Sequence, residues 1–201
     1  MKNFRQDRWC GSLRLVVYGG AGSGKSTVAL RLGTIIGVGP THLDDLFWLP
    51  NWTPNSRDDM KSQITKLVGQ ESWIIEGNYS YLRPLTLPRC DLVVIVRPPL
   101  VVSLWRLFWR TMGRRGHWTP HPTSPLPKNV TNLPNHEPVW EELYILGKSL
   151  IKFHLLRYKA IVKECINGGL QGRVRLVRNN QDFQNLSRQI HLLSNRSKCK
   201  V

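Results

Sequence analysis

The residues Gly19-Gly20-Ala21-Gly22-Ser23-Gly24-Lys25-Ser26 fit the spacing G-x-x-x-x-G-K-[ST]. That combination serves phosphate chemistry. Glycines adopt positive φ angles, turn successive backbone N–H groups inward and let an anion approach the main chain. A helix starting at the end of the motif adds unpaired donors and a partial positive charge. Lys25 then reaches the β- and γ-phosphates, and the Ser26 hydroxyl meets Mg²⁺. These eight residues, with Thr27 behind them, are the expected contacts to a nucleoside triphosphate and its magnesium.

Carboxylates come next. Asp44 and Asp45 follow the short apolar run Thr41-His42-Leu43, and Glu76 closes Ser72-Trp73-Ile74-Ile75. In an open α/β sheet, ligands bind in the crevice at the C-terminal ends of strands. Asp44, the preferred member of its pair, accepts an acceptor hydroxyl there or joins the outer shell of the magnesium. The alternative is that the pair caps the following segment. Glu76 holds Mg²⁺ through water, orients the attacking hydroxyl, or serves as a cap. His42 reads as a packed or hydrogen-bonded strand residue rather than a catalytic one.

Basic residues form the third group. Arg106, Arg110, Arg114 and Arg115 make a ridge leading into a Pro-, Gly- and Thr-rich stretch over about 113–136, and no carboxylate lies between Asp91 and Glu137. A loop this long inside a compact domain is a functional segment or a solvated one. As a lid, it would bring Arg110 and Arg114 to charge developing in transfer, with Arg115 on the nucleotide. His117 and His121 sit among prolines with no third ligand in view, so they do not form a metal site.

Five apolar strands position these groups, over Leu13–Tyr18, Thr41–Leu43, Ser72–Tyr79, Asp91–Val96 and Arg173–Val177. Helices are expected after the glycine loop, over about Ser56–Val68, Leu100–Met112, Glu137–Cys165 and Gln181–Leu193. Gly37, Gly39-Pro40 and Asn167-Gly168-Gly169 mark stops, and Pro50–Asn55 reads as a loop. Leu104, Trp105, Phe108 and Trp109 read as core residues. Alternating strands and helices imply an α/β fold with a parallel sheet. It is one domain over 13–193, with an N-terminal extension over 1–12 and a basic tail over 194–201.

Composition narrows the partners. The net charge of +16 favours polyanions, nucleotides or acidic surfaces without choosing among them. Cys10, Cys90, Cys165 and Cys199 lack zinc-finger spacing, so reduced thiols are expected. No leader-like segment opens the chain, and Arg97, Pro98, Pro99 and Arg106 interrupt its most apolar region. A cytoplasmic protein without membrane partners is the expectation.

The motifs GGAGSGKST, HLDDLFW, WIIEGNY and RLFWRTMGRR together resemble the DNA topology modulation proteins, small P-loop relatives of adenylate kinase. The resemblance covers about residues 13–193. It implies a three-layer P-loop fold like that of nucleoside monophosphate kinases, with five parallel strands and a lid insertion. It further implies Asp44 facing the acceptor and Arg110, Arg114 and Arg115 in the lid. Members of that family carry Asp before Gly-Asn-Tyr, where this chain has Glu76, one methylene longer. The expected function is transfer of the ATP γ-phosphoryl group to a small acceptor, a nucleotide or nucleoside. The alternative is a nucleic-acid-associated NTPase or nucleotide-gated switch, for which no nucleic-acid-binding motif speaks.

Overall fold

A computed structural model describes residues 12–114, 127–130 and 139–198. Its centre is a five-stranded, all-parallel sheet in the order β2-β5-β1-β6-β7. The strands are β1 (Arg14–Gly19), β2 (Pro40–His42), β5 (Trp73–Glu76), β6 (Leu92–Val96) and β7 (Val174–Val177). A two-stranded antiparallel pair, β3 (Trp48–Leu49) with β4 (Thr53–Pro54), stands apart. The helices are α1 (Lys25–Ile36), α2 (Leu43–Phe47), α3 (Arg57–Val68), α4 (Arg83–Thr86), α5 (Leu100–Arg114), α6 (Val139–Lys152), α7 (Tyr158–Asn167) and α8 (Asn180–Lys198).

Strand side chains alternate between faces, and here both faces are covered. Leu15, Val17, Ile74 and Val94 pack with Val28, Ala29 and Leu32 of α1 and with Phe183, Leu186 and Ile190 of α8. Val16, Tyr18, Ile75, Val93 and Ile95 pack on the other side with Met60 and Ile64 of α3 and with Ile161 and Cys165 of α7. This is the three-layer α/β P-loop architecture. Because both faces are buried, the strands read as continuous apolar runs. Pairing registers His42 against Glu76, Val17 against Glu76, Gly19 against Val96, and Val96 against Val177. The register therefore brings the polar strand ends to one edge of the sheet.

Local signals explain most boundaries. Gly37 ends α1 at φ 80°, a left-handed conformation that glycine adopts without a side-chain clash. Ser56 caps α3 by accepting from the Asp59 N–H at 3.1 Å. The expected loop over 50–55 instead carries the β3–β4 hairpin, whose turn holds Asn51 and Trp52 at φ 59° and 56°. The last helix runs to Lys198, into the segment expected to be a tail. The expected single helix from Glu137 is interrupted at Phe153–Arg157 by a turn of π-helix. The wider turn buries both Phe153 and His154, where His154 Nε2 lies 3.0 Å from the Pro98 carbonyl. No described helix is long and apolar enough to cross a membrane.

One packing expectation is overturned. Three of the four α5 residues expected in the core are not there: Leu104 is 38% exposed, Trp105 52% and Phe108 36%, while Trp109 is half-buried. Ser103, Leu107 and Thr111 face inward instead, each buried to 1% exposure or less. The reason is what α5 packs on. A Cβ built at Gly22 would lie 2.3 Å from the Ser103 carbonyl oxygen and 3.3 Å from the Leu107 nitrogen, so the helix backbone itself lies against the glycine loop. The rings stack outside, Trp105 on Trp109 and Phe108 on Trp109, both at 5.3 Å between centroids.

Leu32 of α1 is fully buried between the sheet and α8. Leu32→Ala is expected to lower unfolding free energy by about 2–5 kcal/mol in urea titration. An unchanged midpoint would contradict this packing.

Candidate active site

β1 delivers the chain into the glycine loop and α1 carries it away, as a phosphate loop requires. Gly22 and Gly24 take φ 69° and 85°. The Ser23 N–H donates to the Gly20 carbonyl at 3.3 Å, and Val28 N–H donates to Gly24 at 3.0 Å, closing the first turn of α1. Asn78 clamps the end of β1: its amide donates to the Gly19 carbonyl, and its oxygen accepts from Gly19 N–H at 3.4 Å.

A cavity of about 660 Å³ opens over this loop. Gly20, Gly22 and the run Ser23–Thr27 line it, while Gly19 and Ala21 do not. Arg106 and Arg110 close one side, and Arg31, Arg178, Asn179, Asn180 and Phe183 another. Arg106 Nη1 donates to the Ser23 carbonyl at 3.4 Å. Arg31 lies 4.0 Å above the Phe183 ring, a cation–π distance. Four arginines around a loop of inward N–H groups make a site for a polyphosphate. Ser23 Oγ is buried against Gly19, 2.4 Å from where a Cβ on Gly19 would lie, and has no hydrogen-bond partner.

Glu76 joins the loop to the ends of β2 and β5. Its carboxylate is 3% exposed. Oε1 lies 3.3 Å from Lys25 Nζ, while Oε2 accepts from Ser26 Oγ at 3.0 Å and lies 2.6 Å from His42 Nδ1. Burial alone would raise the Glu76 pKa. The Lys25 ammonium and the His42 hydrogen bond outweigh it, so the group titrates below the usual carboxylate range. The hydrogen bond to Glu76 raises the His42 pKa in turn, against a smaller opposing effect of burial.

The donors fit Mg²⁺ to the extent that metal needs. Ser26 and Glu76 offer hard oxygen ligands, and a hydroxyl that donates its proton to Glu76 keeps its lone pairs for a cation. Among the described residues no group of three His, Cys, Asp or Glu side chains converges on a metal position. Substrate phosphates and water therefore have to supply the remaining ligands, the usual arrangement for magnesium.

The two aspartates take different parts. Asp45 Oδ1 accepts from Lys128 N–H at 3.1 Å and its carbonyl accepts from the Asn129 amide at 2.9 Å, pinning residues 127–130. Asp44 is exposed, and Tyr79 Oη donates to its Oδ1 at 2.8 Å. Burial, reinforced by the Asp44 charge, raises the Tyr79 pKa, so the phenol stays protonated. Asp44 does not line the cavity over the loop; it stands beyond β5, at the end of β2. The structure thus brings Lys25, Ser26 and Glu76 into direct contact and Arg110 to the cavity wall. The Arg114 side chain and Arg115 lie outside the described residues, as do most of 113–136, His117 and His121.

Sequence reasoning passed over Asn78, Tyr79 and the Arg178–Asn180 strand end, and it read His42 as packed or hydrogen-bonded without naming Glu76 as its partner. Three of these had a signal: they follow directly on the C-terminal ends of β5 or β7, where ligands are met. His42 had none, because its role depends on pairing across strands. The buried thiols Cys90 and Cys165 are not disulfide-bonded, and burial pushes them up to about 12 and 11.

The parallel sheet and the loop at the end of its central strand define a P-loop α/β protein. A solved gluconokinase from Sinorhizobium meliloti is similar to this chain at 20% identity, over 76% of this chain and 98% of that one, with a TM-score of 0.38. The chain matches no known protein-family model and no curated protein.

The His42–Glu76 pair gives the nucleotide-free protein a pH signature. His42, with its raised folded pKa, stabilises fully below the unfolded imidazole value of about 6.5 and loses this as pH rises through the folded value. Glu76, with its lowered pKa, contributes above the unfolded carboxyl value of about 4.3 and loses this as pH falls through the folded value. Urea unfolding between pH 6 and 9 should show a decline that His42→Asn makes shallower. Identical slopes for both proteins would exclude the pairing.

Proposed function

We propose that this protein transfers the γ-phosphoryl group of ATP, bound with Mg²⁺, to a hydroxyl of a small acceptor. The observation that carries this reading is the placement of Glu76. One buried carboxylate touches both side chains the motif assigns to phosphates and metal, Lys25 and Ser26. On the neighbouring strand end stands Asp44, outside the phosphate cavity.

Lys25 and the loop N–H groups hold the β- and γ-phosphates. Ser26 and Glu76 hold the magnesium, which when bound neutralises charge on the bridging phosphate oxygens. Asp44, oriented by Tyr79, receives the acceptor hydroxyl's proton as its oxygen bonds to the γ-phosphorus and the bond to ADP breaks. Arg106 and Arg110 offset charge on the phosphates. Arg114 and Arg115 belong to the same set through a lid over about 113–136 of a domain spanning 13–193. Little covalent work is required; positioning and electrostatic stabilisation do most of it. The motif resemblance to DNA topology modulation proteins supports this reading.

Lys25→Ala should fold with reduced stability, since Lys25 contributes to neither apolar cluster but pairs with buried Glu76, and should lose ATP·Mg²⁺ binding by calorimetry. Unchanged affinity would place the nucleotide elsewhere. Asp44→Asn should lower kcat by about 10²-fold or more while sparing ATP affinity, as removal of a general base does. Equal effects on both constants would contradict the acceptor-side role.

A charge of +16 will bind DNA at low salt regardless of function. Incidental binding should fall by about 10³-fold or more between 50 and 200 mM salt if several phosphates are contacted. DNA that stimulated ATP hydrolysis at 150 mM salt where no small acceptor did would replace transfer with a nucleic-acid function.

A further inference from the structure

The phosphoryl-transfer reading leaves two kinds of acceptor, one neutral and one already carrying a phosphate. The acceptor edge distinguishes them. From Asp44, bonded to Tyr79, a row of half-buried rings runs outward. Tyr79 meets Phe47 at 5.1 Å, Phe47 meets Trp48 at 4.8 Å, and Trp48 meets Trp52 at 5.2 Å between centroids.

The row is braced rather than incidental. Asn55 N–H donates to the Phe47 carbonyl at 2.7 Å and its amide to the Leu46 carbonyl at 3.0 Å. The Asn129 amide donates to the Trp48 carbonyl at 3.3 Å from across the chain. Trp52 is held at φ 56°, a conformation uncommon for a bulky residue and kept only where surroundings impose it. The rings meet edge to face or tilted, at 46°, 78° and 70° between planes along the row, so they present separate half-buried faces rather than one plane, each suited to stacking.

Charge points the same way. Asp44, Asp45 and Glu76 put three carboxylates on this edge. The described cations in contact with them are engaged: Lys25 with Glu76 at 3.3 Å and Lys128 with Asp45 at 3.9 Å. A phosphate ester brought to Asp44 would meet like charge, whereas a neutral hydroxyl would meet a hydrogen-bond acceptor.

Resting on the phosphoryl-transfer reading above, we infer that the acceptor is an uncharged, ring-bearing alcohol, of the class of a nucleoside rather than a nucleotide. Its ring lies against the Trp48 face and its hydroxyl meets Asp44. The products are the phosphate ester, ADP and one proton, which leaves through Asp44 to solvent.

The test follows ADP formation by the full chain with ATP and Mg²⁺. Acceptors are offered in pairs: adenosine, cytidine, thymidine and glucose, each beside its own phosphate monoester. In the pair that is used, the neutral member should have kcat/KM about tenfold or more above its ester. Asp44→Asn should shrink that ratio, and Trp48→Ala should raise the acceptor KM but not the ATP KM, with Trp48→Phe restoring it. Preference for a phosphate ester would overturn this inference and leave the transfer reading standing. If no compound of any pair accelerated ADP formation, both would fall. A Trp48→Ala protein with unchanged acceptor KM would overturn the stacking surface.

Discussion

A carboxylate buried at the end of an interior strand must be compensated, and the site is arranged around that requirement. Glu76 is all but removed from water, so its charge persists only because Lys25, Ser26 and His42 surround it. Those partners come from two segments other than its own strand, α1 and β2. The compensation that keeps Glu76 ionised therefore also fixes the start of α1 against the ends of β2 and β5. Removing one partner of such a cluster strands the others, which is why buried pairs cost about 3–5 kcal/mol to break even where they add little net stability.

The same constraint separates two sides of the crevice. On the β1–β6–β7 side, loop N–H groups and arginines collect positive potential around one cavity. On the β2–β5 side, aspartates and aromatic rings collect negative charge and flat apolar surface. Glu76 stands between them, one oxygen toward Lys25 and the other toward His42. The proposed phosphoryl transfer from a polyanion to a hydroxyl would use that polarity.

Helix α5 shows how the requirement reaches into packing. A glycine loop with its backbone exposed to ligand needs support from behind, and support at that distance excludes large side chains. The α5 backbone at Ser103 and Leu107 makes the contact, and Leu104, Trp105 and Phe108 lie on the exposed side of the helix. The arginines one turn apart, Arg106 and Arg110, are thereby turned to the nucleotide cavity. An apolar stripe on the solvent side of a helix is the consequence of a close backbone approach on the other.

The sequence by itself determined the strands, the phosphate loop and the strand-end carboxylates. Apolar runs, glycine spacing and cap residues are local properties that short segments carry with them. Most helix boundaries were legible for the same reason. What only the tertiary structure decided are the facts that depend on register and contact between distant segments. His42 reads as a packed histidine until β2 pairs with β5 and sets it beside Glu76. The aspartate pair reads as equivalent until Lys128 and Asn129 engage Asp45 and leave Asp44 to Tyr79. Trp105 and Phe108 read as core because their type is apolar, yet position relative to a glycine backbone, not type, placed them outside. Hydrophobicity is a property of one residue, whereas burial and charge compensation belong to the set of residues that the fold brings together.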